Sequence, residues 1–269
     1  KADGVTDDHP AWQALVNSLE DTGATITWTG RSIVEAPILW KRGVNLIGQG
    51  WGKSVLATRG DAEELPFGAI EGFSPYATTA KPYEDLLFKD IEVDGSELAY
   101  PGPSISGKAL FIQFMRRCQF VNLYLHDTIG TALGTDFLPD CLIQGVIVVN
   151  GGRGWTGAEG GHAGIGIGMG AWPEENITIS DCHTINCGHW GIFVERQNEQ
   201  PYRSRGAKII GCTATGTRGT GIADVGCTNT LIANCTATGN GTMNHAQWRD
   251  GFCLMYGTVG AMVTNNVSS

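Results

Sequence analysis

A small residue followed by a large apolar one returns six times along this chain, at Ala109-Leu110, Ala132-Leu133, Gly164-Ile165, Gly191-Ile192, Gly221-Ile222 and Gly251-Phe252. Each pair opens a strand-like stretch, and successive pairs stand from 23 residues apart (110 to 133) to 32 (133 to 165). A second position recurs ahead of each pair, at Ile91, Leu123, Val146, Cys182, Cys212, Cys235 and Asn266. The two positions are ten residues apart in three coils (123 to 133, 182 to 192, 212 to 222) and further apart in the coils starting at 91, 146 and 235. A unit of this length with two or three short strands cannot bury its apolar face alone. Stacking successive units about 4.8 Å apart makes one continuous core. The pattern therefore predicts an all-β chain wound as a parallel β-solenoid. An α-solenoid is excluded because helical periodicity is confined to the first two dozen residues, and propeller blades would need roughly 40 or more residues each.

That one helical stretch is at the start. Asp7-Asp8-His9-Pro10 supplies a cap and a first-turn proline, and Trp12, Leu15, Val16 and Leu19 form one apolar stripe that ends near Thr22-Gly23. The expected organisation is a cap with a short helix over residues 1–30, closing the open end of the stack, and a β-helix over 31–269 that continues beyond the last residue. The 39 glycines fit many tight turns. A net charge of −9, from 18 basic and 27 acidic residues, argues against nucleic acid as a partner, because neutralising its phosphates needs clustered Lys and Arg. No run of 18 apolar residues is present, so no membrane insertion is expected. The eight cysteines include no CxxC pair, and three fall on the recurring position as buried thiols, with a Cys182–Cys187 disulfide as the alternative.

The opening segment Asp3-Gly4-Val5-Thr6-Asp7-Asp8, the helix from Trp12 to Leu19, and Ile38-Leu39-Trp40-Lys41-Arg42-Gly43-Val44-Asn45-Leu46-Ile47-Gly48-Gln49-Gly50 together resemble the start of the pectate-lyase-superfamily domain. That family includes bacteriophage tailspikes and tail depolymerases, polygalacturonase-like hydrolases and alginate epimerases. The resemblance implies a right-handed parallel β-helix and a polysaccharide ligand. It does not fix the chemistry, because one fold hosts many activities. The Asn-Thr-Asp, Asp-Asp and Arg-Ile-Lys motifs of polygalacturonases and the Asp-Pro-His of alginate epimerases are missing, and Gly188-His189-Trp190-Gly191 is only loosely similar to the polygalacturonase Gly-His-Gly.

The resemblance leads us to expect a phage tail-associated protein that binds, and if active cleaves, a host-surface polysaccharide. It would be a homotrimer among other tail proteins, located on the virion or outside the cell. The alternative is a free bacterial polysaccharide lyase, glycoside hydrolase or epimerase. A spacer without a ligand is a third reading.

Residues themselves suggest where a ligand would lie. The extra residues of the coils starting at Val146 and Cys235 fall just before Gly164 and Gly251, so two loops should project on one side as walls. One wall carries Trp155 and His162, the other His245, Trp248 and Arg249, and the lean coils between them carry Trp190 and Arg218 as a floor; these are groups that stack on sugar rings and bond hydroxyls. Glu195, three residues past Ile192, and Asp224, two past Ile222, are the expected acid and second carboxylate, with Asp250 at the groove edge. A lyase would instead use His189 as base. The two carboxylates differ in parity by one residue. No cofactor and no metal are expected: Asp181, Asp224 and Asp250 offer oxygen ligands, but no loop with fixed calcium-ligand spacing occurs.

Overall fold

The computed structural model describes residues 3–61, 65, 68–99, 106–157, 161–197, 199–243 and 249–269. Among them the chain winds into rungs whose strands stack in register into three long sheets with only parallel pairing. Sheet 1 has eight strands, Ile38–Leu39, Gly68–Gly72, Lys108–Ile112, Leu133–Asp136, Ala163–Met169, Trp190–Arg196, Thr220–Val225 and Phe252–Met255. Sheet 2 has nine, from Thr25–Thr27 to Met262–Thr264, and sheet 3 has ten, from Asp3–Asp7 to Val267–Ser268. The chain is a right-handed parallel β-helix, the hand that parallel crossovers take almost without exception.

Both recurring sequence positions have a physical role. The small-large pairs open the strands of sheet 1, with Leu110, Leu133, Ile165, Ile192 and Ile222 buried in the interior. The second position lies just after the tight corner between sheets 2 and 3. There Asp90, Asn122, Gly145, Asp181, Gly211, Asn234 and Asn265 adopt left-handed backbone (φ +53° to +65°), a conformation that Gly, Asn and Asp tolerate best. The next residue then turns inward, which buries Cys182, Cys212 and Cys235 as an interior column. All eight cysteines are free thiols, so no disulfide joins Cys182 to Cys187.

The helix spans His9–Ser18 and lies on the first rung, with Trp12 and Val16 in the core and the Gln13 amide bonded both ways to the backbone of Leu39. Leu15, expected in the apolar stripe, is exposed. Asp8 occupies the N-cap position without a side-chain cap bond. Its neighbour Asp7 accepts the His9 N–H instead, at 3.0 Å. Strands Asp3–Asp7 and Thr25–Thr27 already pair with Gly30–Val34 and Asn45–Ile47, so the sheets extend on both sides of the helix.

Candidate functional site

Parity along sheet 1 decides which side chains reach solvent. The residue three past each buried anchor points outward, so register aligns Gln113, Asp136, Gly168, Glu195, Val225 and Met255 in one outer column. The column two residues earlier holds Phe111, Gly166 and Phe193, with Gly134 on the Leu133–Asp136 strand beside Phe111. Where glycines interrupt bulky neighbours a hollow opens. It has a volume of about 250 Å³, a floor of Gly134, Gly166 and Gly168, walls of Phe111 and Phe193, and Asp136, Glu195, Gln197 and Lys108 converging on it. A Cβ on Gly168 would overlap Asp136 Oδ1 and stand 2.5 Å from Gln197 Nε2. The glycine is therefore what leaves room for the Asp136 carboxylate and the Gln197 amide to come together over this strand.

The polar groups of the hollow hold one another. Asp136 accepts Gln113 Nε2–H at 2.7 Å and the Gly168 N–H at 3.1 Å, and Glu195 accepts Gln197 Nε2–H at 2.8 Å. Burial, reinforced by the charge of Asp136, pushes the Glu195 carboxyl up to about 7. Burial also raises Asp136, against the opposing effects of Gln113, Lys108 and the Gly168 N–H. Lys108, 9% exposed, has its Nζ 4.3 Å from the centre of the Phe111 ring, and burial lowers its pKa against the pull of Asp136, Glu71 and Glu195. Asp136 and Glu195 lie two rungs apart, about 9.6 Å between Cα atoms.

Two further hollows share walls with this one. The first, about 500 Å³, meets it at Asp136 and Gln197 and extends to Ser74 and Gln200. The second, about 230 Å³, meets it at Glu195 and extends to Arg196 and Tyr256. Together they make a trough along the outside of sheet 1.

Of the residues singled out by sequence, Glu195 lines this trough. Asp224 does not. It pairs with inward-pointing Val194, is 0% exposed, and accepts the Cys227 N–H at 2.8 Å and the Thr258 hydroxyl at 3.0 Å. The expected pairing of Glu195 with Asp224 is thus corrected: strand parity turns Asp224 into the core, and the carboxylate facing Glu195 is Asp136. Asp250 and Arg249 are exposed at the start of the Phe252–Met255 rung, away from the hollow. His245 and Trp248 lie outside the described residues.

The described ends of both insertions do meet the same two lean rungs: Gly188 N–H bonds Gly151 O, and Met243 N–H bonds Arg218 O. Arg218, Trp155, His189 and Trp190 form a continuous stack, with the guanidinium 5.7 Å from the Trp155 ring, then centroid spacings of 4.7 and 4.2 Å. Arg218 also donates to the carbonyls of Gly152 and Arg153 at 3.1 Å. This cluster is packed, not open. Trp155 is 2% exposed, and His162, His189 and Trp190 are buried, so the faces expected to receive a sugar or a proton are covered by one another. Its link to the trough is Trp190, 5.6 Å from Phe193.

The fold and the trough define a parallel β-helix with buried carboxyls on an outer sheet face. Solved structures with the same architecture include the mannuronan C-5 epimerase AlgE4 A-module of Azotobacter vinelandii (14% identity, TM-score 0.62), of which the match covers 74%, against 99% of this chain. PfbA, a surface adhesin of Streptococcus pneumoniae, is similar over all of this chain and 70% of its own (12% identity, TM-score 0.66). The bacteriophage phi29 gene product 12 N-terminal fragment is similar over all of this chain and 56% of its own (12% identity, TM-score 0.59). No protein-family profile and no curated protein sequence matches the chain. Among the described residues no helix is long and apolar enough to cross a membrane.

Proposed function

We propose that this chain binds a polysaccharide along the trough of sheet 1 and hydrolyses a glycosidic bond at the glycine-floored hollow, as the carbohydrate-recognising β-helix of a phage tail or an extracellular protein. The observation that carries the reading is the pair Asp136 and Glu195, two carboxyl groups on one column with a glycine between them. Glycoside hydrolysis needs one carboxyl that keeps its proton near neutrality and one that works ionised. Glu195, with its pKa near 7, suits the proton donor. Burial raises Asp136 too, but the Gln113 amide, the Gly168 N–H and Lys108 oppose that rise, so Asp136 suits the base. We take a pair two rungs apart to act with a water molecule between base and sugar, the arrangement that inverts the anomeric centre. Phe111 and Phe193 supply apolar walls for the ring.

The family resemblance supports a tail role and a homotrimer, and the phi29 neighbour, a bacteriophage protein, fits a phage origin. The epimerase neighbour supports a free polysaccharide-acting enzyme. The test is incubation with a panel of bacterial surface glycans, following reducing ends and the absorbance of unsaturated uronates. Glu195→Gln and Asp136→Asn should each remove reducing-end release. Cleavage at wild-type rates in both variants, or unsaturated products, would sink the hydrolase reading. Sedimentation of the full-length protein tests the trimer.

A further inference from the structure

We propose a second saccharide-binding site on the outer face of sheet 3, a platform of Trp51 and Tyr124 that stacks neutral pyranose rings. Trp51 is 40% exposed, although a side chain of that size normally finds cover. It is also held rigidly. Its indole N–H donates to Asn122 O at 3.0 Å, so the ring lies across the intervening rung, and its centre is 5.5 Å from the Tyr124 ring. Tyr124 in turn stacks on His126 at 4.7 Å. The loop that carries Trp51 is tied down at several points. Gly52 N–H donates to Glu92 Oε2 at 2.7 Å, Gly50 N–H to Asp90 O at 3.0 Å, and the N–H groups of Lys53 and Ser54 to Gly50 O at 3.1 Å.

An exposed aromatic surface fixed in advance binds a flat apolar face without the ordering cost of a mobile side chain, and the C–H face of a pyranose is such a partner. The charge around the platform selects among sugars. Glu92, Asp94 and Asp127 surround His126, Asp90 is bonded to Asn122, and the cations beside them are already paired, Arg31 with Asp94 and Glu97 at 2.9 Å and Lys89 with Asp90 at 3.8 Å. This acidic rim repels uronates and sulfated sugars and leaves neutral rings as the ligand.

The site lies on a different sheet from the trough and does not depend on its chemistry. The test is affinity electrophoresis of the full chain through gels containing dextran, galactomannan, xyloglucan, mixed-linkage β-glucan or polygalacturonate. The protein should be retarded by at least one neutral polymer. Trp51→Ala should weaken that binding about tenfold, Trp51→Phe should weaken it less, and cleavage of short oligosaccharides should be unchanged in both. Melting temperatures of the two variants confirm that the rung is intact. The proposal is overturned if no neutral polymer retards the protein, if Trp51→Ala binds as wild type, or if polygalacturonate binds as tightly through Trp51. Glu195→Gln keeps the two proposals apart: undiminished cleavage in that variant defeats the trough chemistry alone, whereas unchanged retardation in Trp51→Ala defeats the platform alone.

Discussion

Replacing Glu195 by glutamine should make the protein more stable at high pH while removing its chemistry. In the folded chain burial and the Asp136 charge raise this carboxyl from an ordinary 4.5 to about 7. Each decade of altered proton affinity corresponds to about 1.4 kcal/mol, so ionising Glu195 in place costs the fold about 3 kcal/mol. The direction follows from linkage. Between pH 4.5 and 7 the native state keeps a proton that the unfolded chain has lost, so wild-type stability falls as pH rises through that window and the full cost is present above it. Glutamine accepts the same Gln197 hydrogen bond and never ionises. Urea unfolding followed by circular dichroism should therefore give nearly equal stabilities for wild type and Glu195→Gln at pH 4.5 and a variant about 3 kcal/mol more stable at pH 8. A difference that stays flat from pH 4.5 to 8, within about 0.5 kcal/mol, would show that Glu195 titrates as a solvated carboxyl and would remove the basis for its role as acid.

Three further outcomes are expected. Gly168→Ala should abolish detectable cleavage by pushing Asp136 and Gln197 aside, at a stability cost of about 1–3 kcal/mol, measured by reducing-end release and urea unfolding. Asp224→Ala should leave cleavage unchanged but lower stability by about 1–3 kcal/mol, because the buried Cys227 N–H loses its acceptor. His126 should titrate above 6.5 by NMR: burial opposes its charge, but Asp127, Asp94 and Glu92 outweigh it. Its contribution to stability is then complete below 6.5 and lost as pH rises through the folded value, a dependence that His126→Gln should abolish.

Repetition made the fold legible, because a solenoid writes its period directly into the order of residues. The buried anchors Leu110, Leu133, Ile165, Ile192 and Ile222 and the column Cys182, Cys212, Cys235 are the positions that the spacing marks. The site was legible only in part. Glu195 stands three residues past its anchor, and the same offset applied to every rung yields Gln113, Asp136, Gly168 and Val225. Asp224, at an offset of two, violates that parity, and the structure buries it. The signal for Asp136 was therefore present and lay in strict alternation. Lys108 left no such mark, since it precedes its anchor and reaches the hollow by bending its side chain toward Gly134. The insertions drew attention to Trp155, His189 and Trp190. Composition cannot distinguish an aromatic that greets a ligand from one that seals a loop, and these rings seal.

The glycine between Asp136 and Glu195 makes the stack a ruler. Residues on one column can be separated only by whole numbers of rungs, so the Cα spacing between the two carboxyl-bearing positions takes discrete values of about 4.8 and 9.6 Å, and the lean of the side chains sets the rest of the gap. Relocating the aspartate from position 136 to 168, through Asp136→Gly with Gly168→Asp, would move it by one graduation. That would bring the two carboxyl groups toward the closer spacing at which the second carboxylate attacks the sugar directly. Whether a sugar departs with its configuration flipped or kept would then come down to which notch of the coil holds the aspartate.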